Sequence, residues 1–256
     1  MSVSYRMDGE VAMVTLARPE KFNSVSADLS RGLVAAIARA GDEARAMVLT
    51  GEGKAFCAGA DLADLMADYE TGGPDLAAVI HDRFNPMVRA LVDAPVPTIA
   101  AVNGVAAGAG LGLALACDLR VMSSQAFFLS AFIGLALIPD TGSTWLLVHH
   151  LGLARAIEFT ATNRRMAADE VASLGLARIT EPDDLMSSAL MLGAELAAGP
   201  TPAYAANRRL LLGAAASNLL SALEVERVTQ GELGRTALHL EGMRAFIEKR
   251  KPDFSG

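Results

Sequence analysis

An α/β fold is what this sequence predicts, on three observations. Short β-rich runs recur through roughly its first 145 residues, each meets a glycine or polar break, and a helical stretch follows most breaks. Alternation of that kind builds layers of helix and sheet. The 256 residues can bury a substantial core.

Taken in order, "VAMVTL" (11–16) alternates before "ARPEKFNS", and Ala27–Ala40 has helical spacing with Ser26 and Asp28 as candidate caps. "RAMVLT" reads as a strand ending at "GEGKAFCAG", and Asp75–Val92 reads as a helix. "PTIAAV" ends at "NGVAAGAG", with an alanine-rich helix over Leu111–Ala116 that Ala109 and Gly110 open. "LRVM" is followed by "SSQ" and then "AFFLS". After about residue 145 strand signals fade, and "AAGPTPAYAANRRLLLGA" and "LLSALEVERVTQGELGRTALHLEGMRAFIEKR" look helical, the second with apolar residues at three- and four-residue steps. The Gly199–Pro200 break divides a body of residues 1–199 from a helical appendage of residues 200–256. Leu210, Leu219, Leu223, Val228, Leu233 and Phe246 give that appendage an apolar face that needs a partner.

Composition excludes several classes. A net charge of −7 argues against nucleic acid, which calls for a basic stripe. Cys57 and Cys117 match no metal-ligand spacing and read as buried thiols in a reducing compartment. The N-terminus lacks an apolar signal segment, so a cytoplasmic location is expected. Ala94 to Cys117 is uncharged and long enough to span a membrane. Pro95, Pro97, Asn103 and the glycines after it break that run into strand, loop and helix, so no membrane span is expected.

Two segments present backbone rather than side chains: "GKAFCAGADL" (53–62) and "NGVAAGAGLGLALACD" (103–118). Unpaired N–H groups there can form an oxyanion hole, although tight strand-to-helix turns would use the same residues. With glycines at 104, 108, 110 and 112, no G-x-G-x-x-G dinucleotide fingerprint occurs. Further on, Val121 to Pro139 carries no charge, and Asp140 closes the run. Spacing allows Asp140 to cap a helix starting near Thr141 or to move protons. Phe132, Leu137 and Ile138 are placed to desolvate it. Asp61 is a candidate cap for a helix at Leu62, and His149 and His150 read as surface or interface residues. No acid–histidine–nucleophile pattern accompanies His81 or His239.

Read together and in order, "ARPEKFNS", "FCAGADL", "AAVNGVAAGAGLGLALACDLRV", "PDTGSTWLL" and "MRAFIEKRKPDF" resemble the crotonase superfamily, the enoyl-CoA hydratase/isomerase family, over essentially the whole chain. The resemblance implies a crotonase-like spiral of ββα turns (1–199) and a C-terminal helical trimerisation region (200–256). It also implies an acyl-CoA substrate, with coenzyme A as part of that substrate and no separate cofactor or metal, and a homotrimer or dimer of trimers. Carried onto this chain, the oxyanion donors are the N–H groups of Ala60 and Ala109. Substrate would be lined by Phe22, Ala58, Asp61, Leu62, Val105, Gly108, Phe132 and Pro139, with Phe246 and Lys249 near a neighbour's CoA.

The departures narrow the reaction. Hydratases of the family use two glutamates, and those positions here read Gly112 and Phe132, neither of which handles a proton. "GLALIPDTGSTWLL" and "FNPMVRALVDAPVP" resemble the isomerase branch acting on a ring epoxide of phenylacetyl-CoA, in which an aspartate at the Asp140 position is the acid/base. Ala136 and Ser143 replace glycines of that branch and "VHH" replaces "PR", which leaves the substrate open. An enoyl-CoA or ring-epoxide acyl-CoA isomerase is therefore expected. The alternatives are a hydratase using Asp64, Asp68 or Glu70, and a non-catalytic acyl-CoA-binding subunit.

Overall fold

The computed structural model describes residues 2–69, 73, 75–214 and 216–255. A hairpin of β1 (Val3–Asp8) and β2 (Val11–Leu16) opens the chain. α1 (Ala27–Glu43) follows, with the Ser26 hydroxyl accepting from the Leu29 N–H and Leu29, Leu33, Ile37 and Ala40 facing the core. Three repeats of one pattern come next. β3 (Ala46–Gly51) and β4 (Ala55–Cys57) lead to α2 (Leu62–Tyr69), α3 (Leu76–Val79) and α4 (Asn85–Val92). β5 (Thr98–Val102) and β6 (Val105–Ala107) lead to α5 (Ala109–Ala116). β7 (Leu119–Ser123) and β8 (Phe127–Leu129) lead to α6 (Ser143–Leu151) and α7 (Leu153–Thr162).

Each repeat places one strand in each of two sheets. The larger has the order β1-β2-β3-β5-β7-β10 and the smaller β4-β6-β8-β9. β2, β3, β5, β7 and β10 run parallel, as do β4, β6 and β8. Successive ββα turns thus stack as a spiral, as the family resemblance implies. α1, α4 and α5 pack around the main core with Leu49, Phe56, Leu111 and Phe128. The outer face of the larger sheet buries Val48, Ile99 and Val121 under α9 (Leu185–Ala197).

Three expectations need correction. The helix expected over 75–92 is interrupted: Ile80–Phe84 forms a π-helical turn between α3 and α4, and Pro86, which lacks an N–H, stands in the first turn of α4. α1 continues three residues past Ala40. Strands do not stop near residue 145, because β9 (Arg165–Ala167) and β10 (Arg178–Thr180) flank α8 (Ala168–Ser173) and extend both sheets. At three residues each, they are too short to show a period of two.

Past Gly199–Pro200 come α10 (Thr201–Ala214), α11 (Leu219–Leu233) and α12 (Ala237–Glu248). α10 is fastened by the buried Arg208, whose guanidinium donates to both oxygens of Asp118 and to the carbonyls of Val92, Ala94 and Val96. Asp118 also accepts from the N–H and hydroxyl of Thr98. Arg45 donates to the carbonyls of Ala197, Gly199 and Phe254, drawing the tail back to the body. α11 has no buried residue and α12 has only Ala245.

Candidate active site

The two glycine loops meet. A Cβ on Gly59 would lie 2.9 Å from the Ala107 carbonyl and 3.4 Å from the Ala109 nitrogen, and one on Gly110 would collide with the Cys57 carbonyl. Glycine at both positions lets main chain touch main chain; Gly59 also has φ +95°. Val25 fixes the first loop: its N–H donates to the Gly59 carbonyl at 2.7 Å and its carbonyl accepts from the Asp61 N–H at 3.2 Å. That pairing turns the intervening Ala60 N–H away from Val25. In the second loop Gly108, at φ +54°, donates to the Leu129 carbonyl and opens α5 with Ala109. Neither the Ala60 nor the Ala109 N–H has a backbone or side-chain acceptor among the described residues. Two free donors on abutting loops, one at a helix N-terminus, suit a developing oxyanion.

Side-chain amides brace this arrangement. Buried Asn23 donates to the carbonyls of Glu52 and Ala55 and accepts from the Arg18 N–H, while Asn103 donates to the carbonyls of Gly53 and Ala55. The Phe22 carbonyl accepts from Ala58, which places the exposed Phe22 ring beside the first loop. Asp61 is only 7% exposed and bonds Arg18 at 2.8 Å. Burial alone would raise its carboxyl pKa, but Arg18, with help from the Asp64 N–H, holds it below the usual carboxylate range. Its charge is thus committed to Arg18 and to the start of α2. Cys57 is buried, and desolvation pushes its thiol up to about 12, so it is no nucleophile.

Asp140 stands at the other side of α5. It precedes a tight turn in which its carbonyl accepts from the Ser143 N–H at 2.8 Å, and Thr141 (φ +56°) and Gly142 (φ +72°) are both left-handed. Gly142 occupies the N-cap position of α6 and no side chain caps that helix, so Asp140 is not the cap that spacing allowed. Its carboxylate accepts instead from the Thr141 hydroxyl at 2.6 Å. Burial raises its pKa, and the Thr141 bond offsets only part of that rise. Among the described carboxylates with a resolved shift, it alone is moved upward. Of the residues that flank it in sequence, Ile138 is 80% exposed and Leu137 exposed, whereas Phe132 is buried and Pro139 half-buried.

Of the two hydratase positions, one lies beside the second glycine loop and the other against the Asp140 turn. The Phe132 ring reaches within 3.8 Å of where a Gly108 Cβ would be, and a Cβ on Gly112 would lie 2.5 Å from the Thr141 carbonyl. The Asp140 turn thus sits where a Gly112 side chain would begin. The Ser143 hydroxyl beside it is buried with no hydrogen-bond partner. Val105 is half-buried in β6, Leu62 exposed at the start of α2, and Phe246 and Lys249 exposed on the last helix and its end. Asp64 is exposed and 3.5 Å from Arg83; Glu70 and the side chain of Asp68 lie outside the described residues. Among the described residues no three His, Cys, Asp or Glu side chains cluster as metal ligands, and no helix is long and apolar enough to cross a membrane.

Sequence reasoning missed the partners of these groups. Arg18 and Thr141 lie inside quoted motifs, but nothing in their spacing names what they bond. His150 is half-buried in the single chain; burial and the nearby Arg120 push it down to about 4. His149 does lie at the surface, stacked on Trp145 at 3.6 Å.

Residues 6–256 match the family described as enoyl-CoA hydratase/isomerase. A probable enoyl-CoA hydratase of Rhodobacter capsulatus is 40% identical over 256 residues, covering 100% of this chain and 98% of the relative. The 1,2-epoxyphenylacetyl-CoA isomerase of Escherichia coli is 37% identical over 249 residues, covering 96% and 95%. The crystal structure of an enoyl-CoA hydratase from Polaromonas sp. superposes with a TM-score of 0.92 at 32% identity, covering 98% of each chain. With its ββα spiral, its paired loops and a match that runs almost from end to end, the chain belongs to the enoyl-CoA hydratase/isomerase family.

Proposed function

We propose that the protein is an acyl-CoA isomerase, shifting the double bond of an enoyl-CoA or rearranging a ring-epoxide acyl-CoA. The thioester oxygen accepts from the Ala60 and Ala109 N–H groups, which stabilise the enolate. Asp140 takes the α-proton of a β,γ-enoyl thioester, and the C–H electron pair moves into a dienolate. The same carboxyl, whose proton exchanges with solvent, then delivers a proton to the γ-carbon, leaving the conjugated α,β-enoyl product. Coenzyme A enters and leaves as part of the substrate. The observation that carries this reading is Asp140 itself, a carboxyl of raised pKa on the turn that packs against proton-inert Gly112, while proton-inert Phe132 lies beside Gly108.

The Rhodobacter capsulatus relative bears a hydratase name, which supports hydration as the second reading. One assay separates the two. A β,γ-enoyl-CoA should acquire the absorbance of a conjugated thioester, and crotonyl-CoA should keep its band. Rapid loss of the crotonyl-CoA band would instead make this a hydratase. An inert protein that still binds acyl-CoA would be a binding subunit.

The exposed apolar face of α11 and α12 supports assembly into a trimer or a pair of trimers, with Phe246 and Lys249 against a neighbour's CoA. Phe246 is 81% exposed and Leu220 78% exposed in the single chain.

A further inference from the structure

The geometry points to Thr141 as the residue that positions the Asp140 carboxyl, its hydroxyl holding one oxygen while its left-handed backbone seats the turn on Gly112. The inference rests on the reading of Asp140 as the proton-transfer group. Thr141 is only 1% exposed, and its φ of +56° is a conformation that β-branched residues rarely adopt. With φ positive at both central residues and an Asp140 carbonyl to Ser143 N–H bond, the 140–143 segment has the signs of a type I′ turn. Glycine or asparagine would fit its first central position without strain. What threonine adds there is a hydroxyl, and that hydroxyl donates to Asp140 Oδ1 at 2.6 Å. Backbone strain of this kind persists where the surroundings over-determine it. Here the Thr141 carbonyl is pressed against Gly112 of α5, so the turn cannot relax towards that helix.

A hydroxyl donating to one carboxylate oxygen leaves the other oxygen to face substrate. It also favours the ionised form, the form that accepts a proton. Among the described residues no charged side chain competes for this control. α5 and the 131–139 loop carry no titratable group, α6 carries only His149 and His150 at its far end, and Arg89 of α4 is exposed.

The test is a set of four variants assayed with a β,γ-enoyl-CoA across pH. Thr141→Gly removes the hydroxyl and relieves the strain; Thr141→Val removes the hydroxyl and keeps the branched shape. Both should lower kcat about tenfold, as expected for one hydrogen bond, with KM little changed. Both should move the acidic limb of the pH–rate profile to higher pH. Thr141→Gly should melt no lower than the parent, which a purely structural role would not allow. Thr141→Ser should restore rate and profile. If Asp140→Asn is inactive while Thr141→Gly keeps the parental kcat and profile, the inference fails and the reading of Asp140 stands. A serine variant that behaves like the glycine variant also overturns it. If Asp140→Asn keeps full activity, the underlying reading fails instead.

Discussion

Asp140 is set apart by what surrounds it rather than by a charged partner. Its pKa is raised by burial, and the hydrogen bond from Thr141 opposes that. Because its folded pKa exceeds the unfolded value of about 3.9, the protonated form is the one the fold favours, and stability is lost as pH rises through the folded pKa. Asp140→Asn should therefore raise Tm at pH 7, and the gain should vanish below about pH 4; thermal melts across pH check this. Equal melting of the two proteins at both pH values would mean that the carboxyl is not desolvated. Ala109 invites a second test, since proline is tolerated at the first position of a helix while its nitrogen cannot donate. Ala109→Pro should fold and lose about a hundredfold or more in turnover, as steady-state kinetics would show. Asp140's isolation was legible in the sequence, because an uncharged run ending in one acid is a linear pattern. Its bond to Thr141 was not, because a positive φ at a threonine leaves no compositional trace.

α5 is the element that joins both halves of the site. Its N-terminal end supplies the Ala109 N–H, where the helix dipole favours negative charge. At its other end the buried Arg120 guanidinium donates to the carbonyls of Cys117 and Leu176, and more weakly to Leu115. One flank of its first turn carries Gly112 against the Thr141 carbonyl. Gly112→Ala should displace the Asp140 turn at a cost of about 1–3 kcal/mol from overpacking, and should slow isomerisation more than it weakens acyl-CoA binding. Denaturant unfolding, with kcat and KM measured separately, reads both effects. The glycine-rich opening of α5 made the helix and its exposed N–H groups legible. The reason position 112 is glycine was not, because the atoms that forbid a side chain come from a turn two strands further along the chain.

For the whole molecule, the layered α/β architecture was legible because strand, break and helix recur in order, whereas the spiral, in which each recurrence adds one strand to each sheet, was implied only by the family resemblance. β9 and β10 escaped notice because three-residue strands depend on the sheet edge they join. The C-terminal region divides in two. α10 is fastened by Arg208, whereas Leu219, Leu220, Leu223, Phe246 and Ile247 leave α11 and α12 with exposed apolar faces. Multi-angle light scattering should give three or six chains per particle, and a monomer at working concentration would contradict the proposed assembly. A chain ending at residue 214 should keep Arg208 and the spiral but lose that association.

The central claim is that one carboxyl moves the proton while two backbone N–H groups hold the thioester oxygen. Its most direct test is substrate proton exchange into deuterated solvent, followed by NMR on the parent and on Asp140→Asn with a β,γ-enoyl-CoA. The amide of that variant keeps the size and one acceptor oxygen of the carboxylate but cannot take up a proton. With the parent protein, deuterium should appear at the α- and γ-carbons. None above the uncatalysed level should appear with the variant, although the variant binds acyl-CoA as tightly. Exchange at the parental rate in the variant would place the proton transfer on another residue.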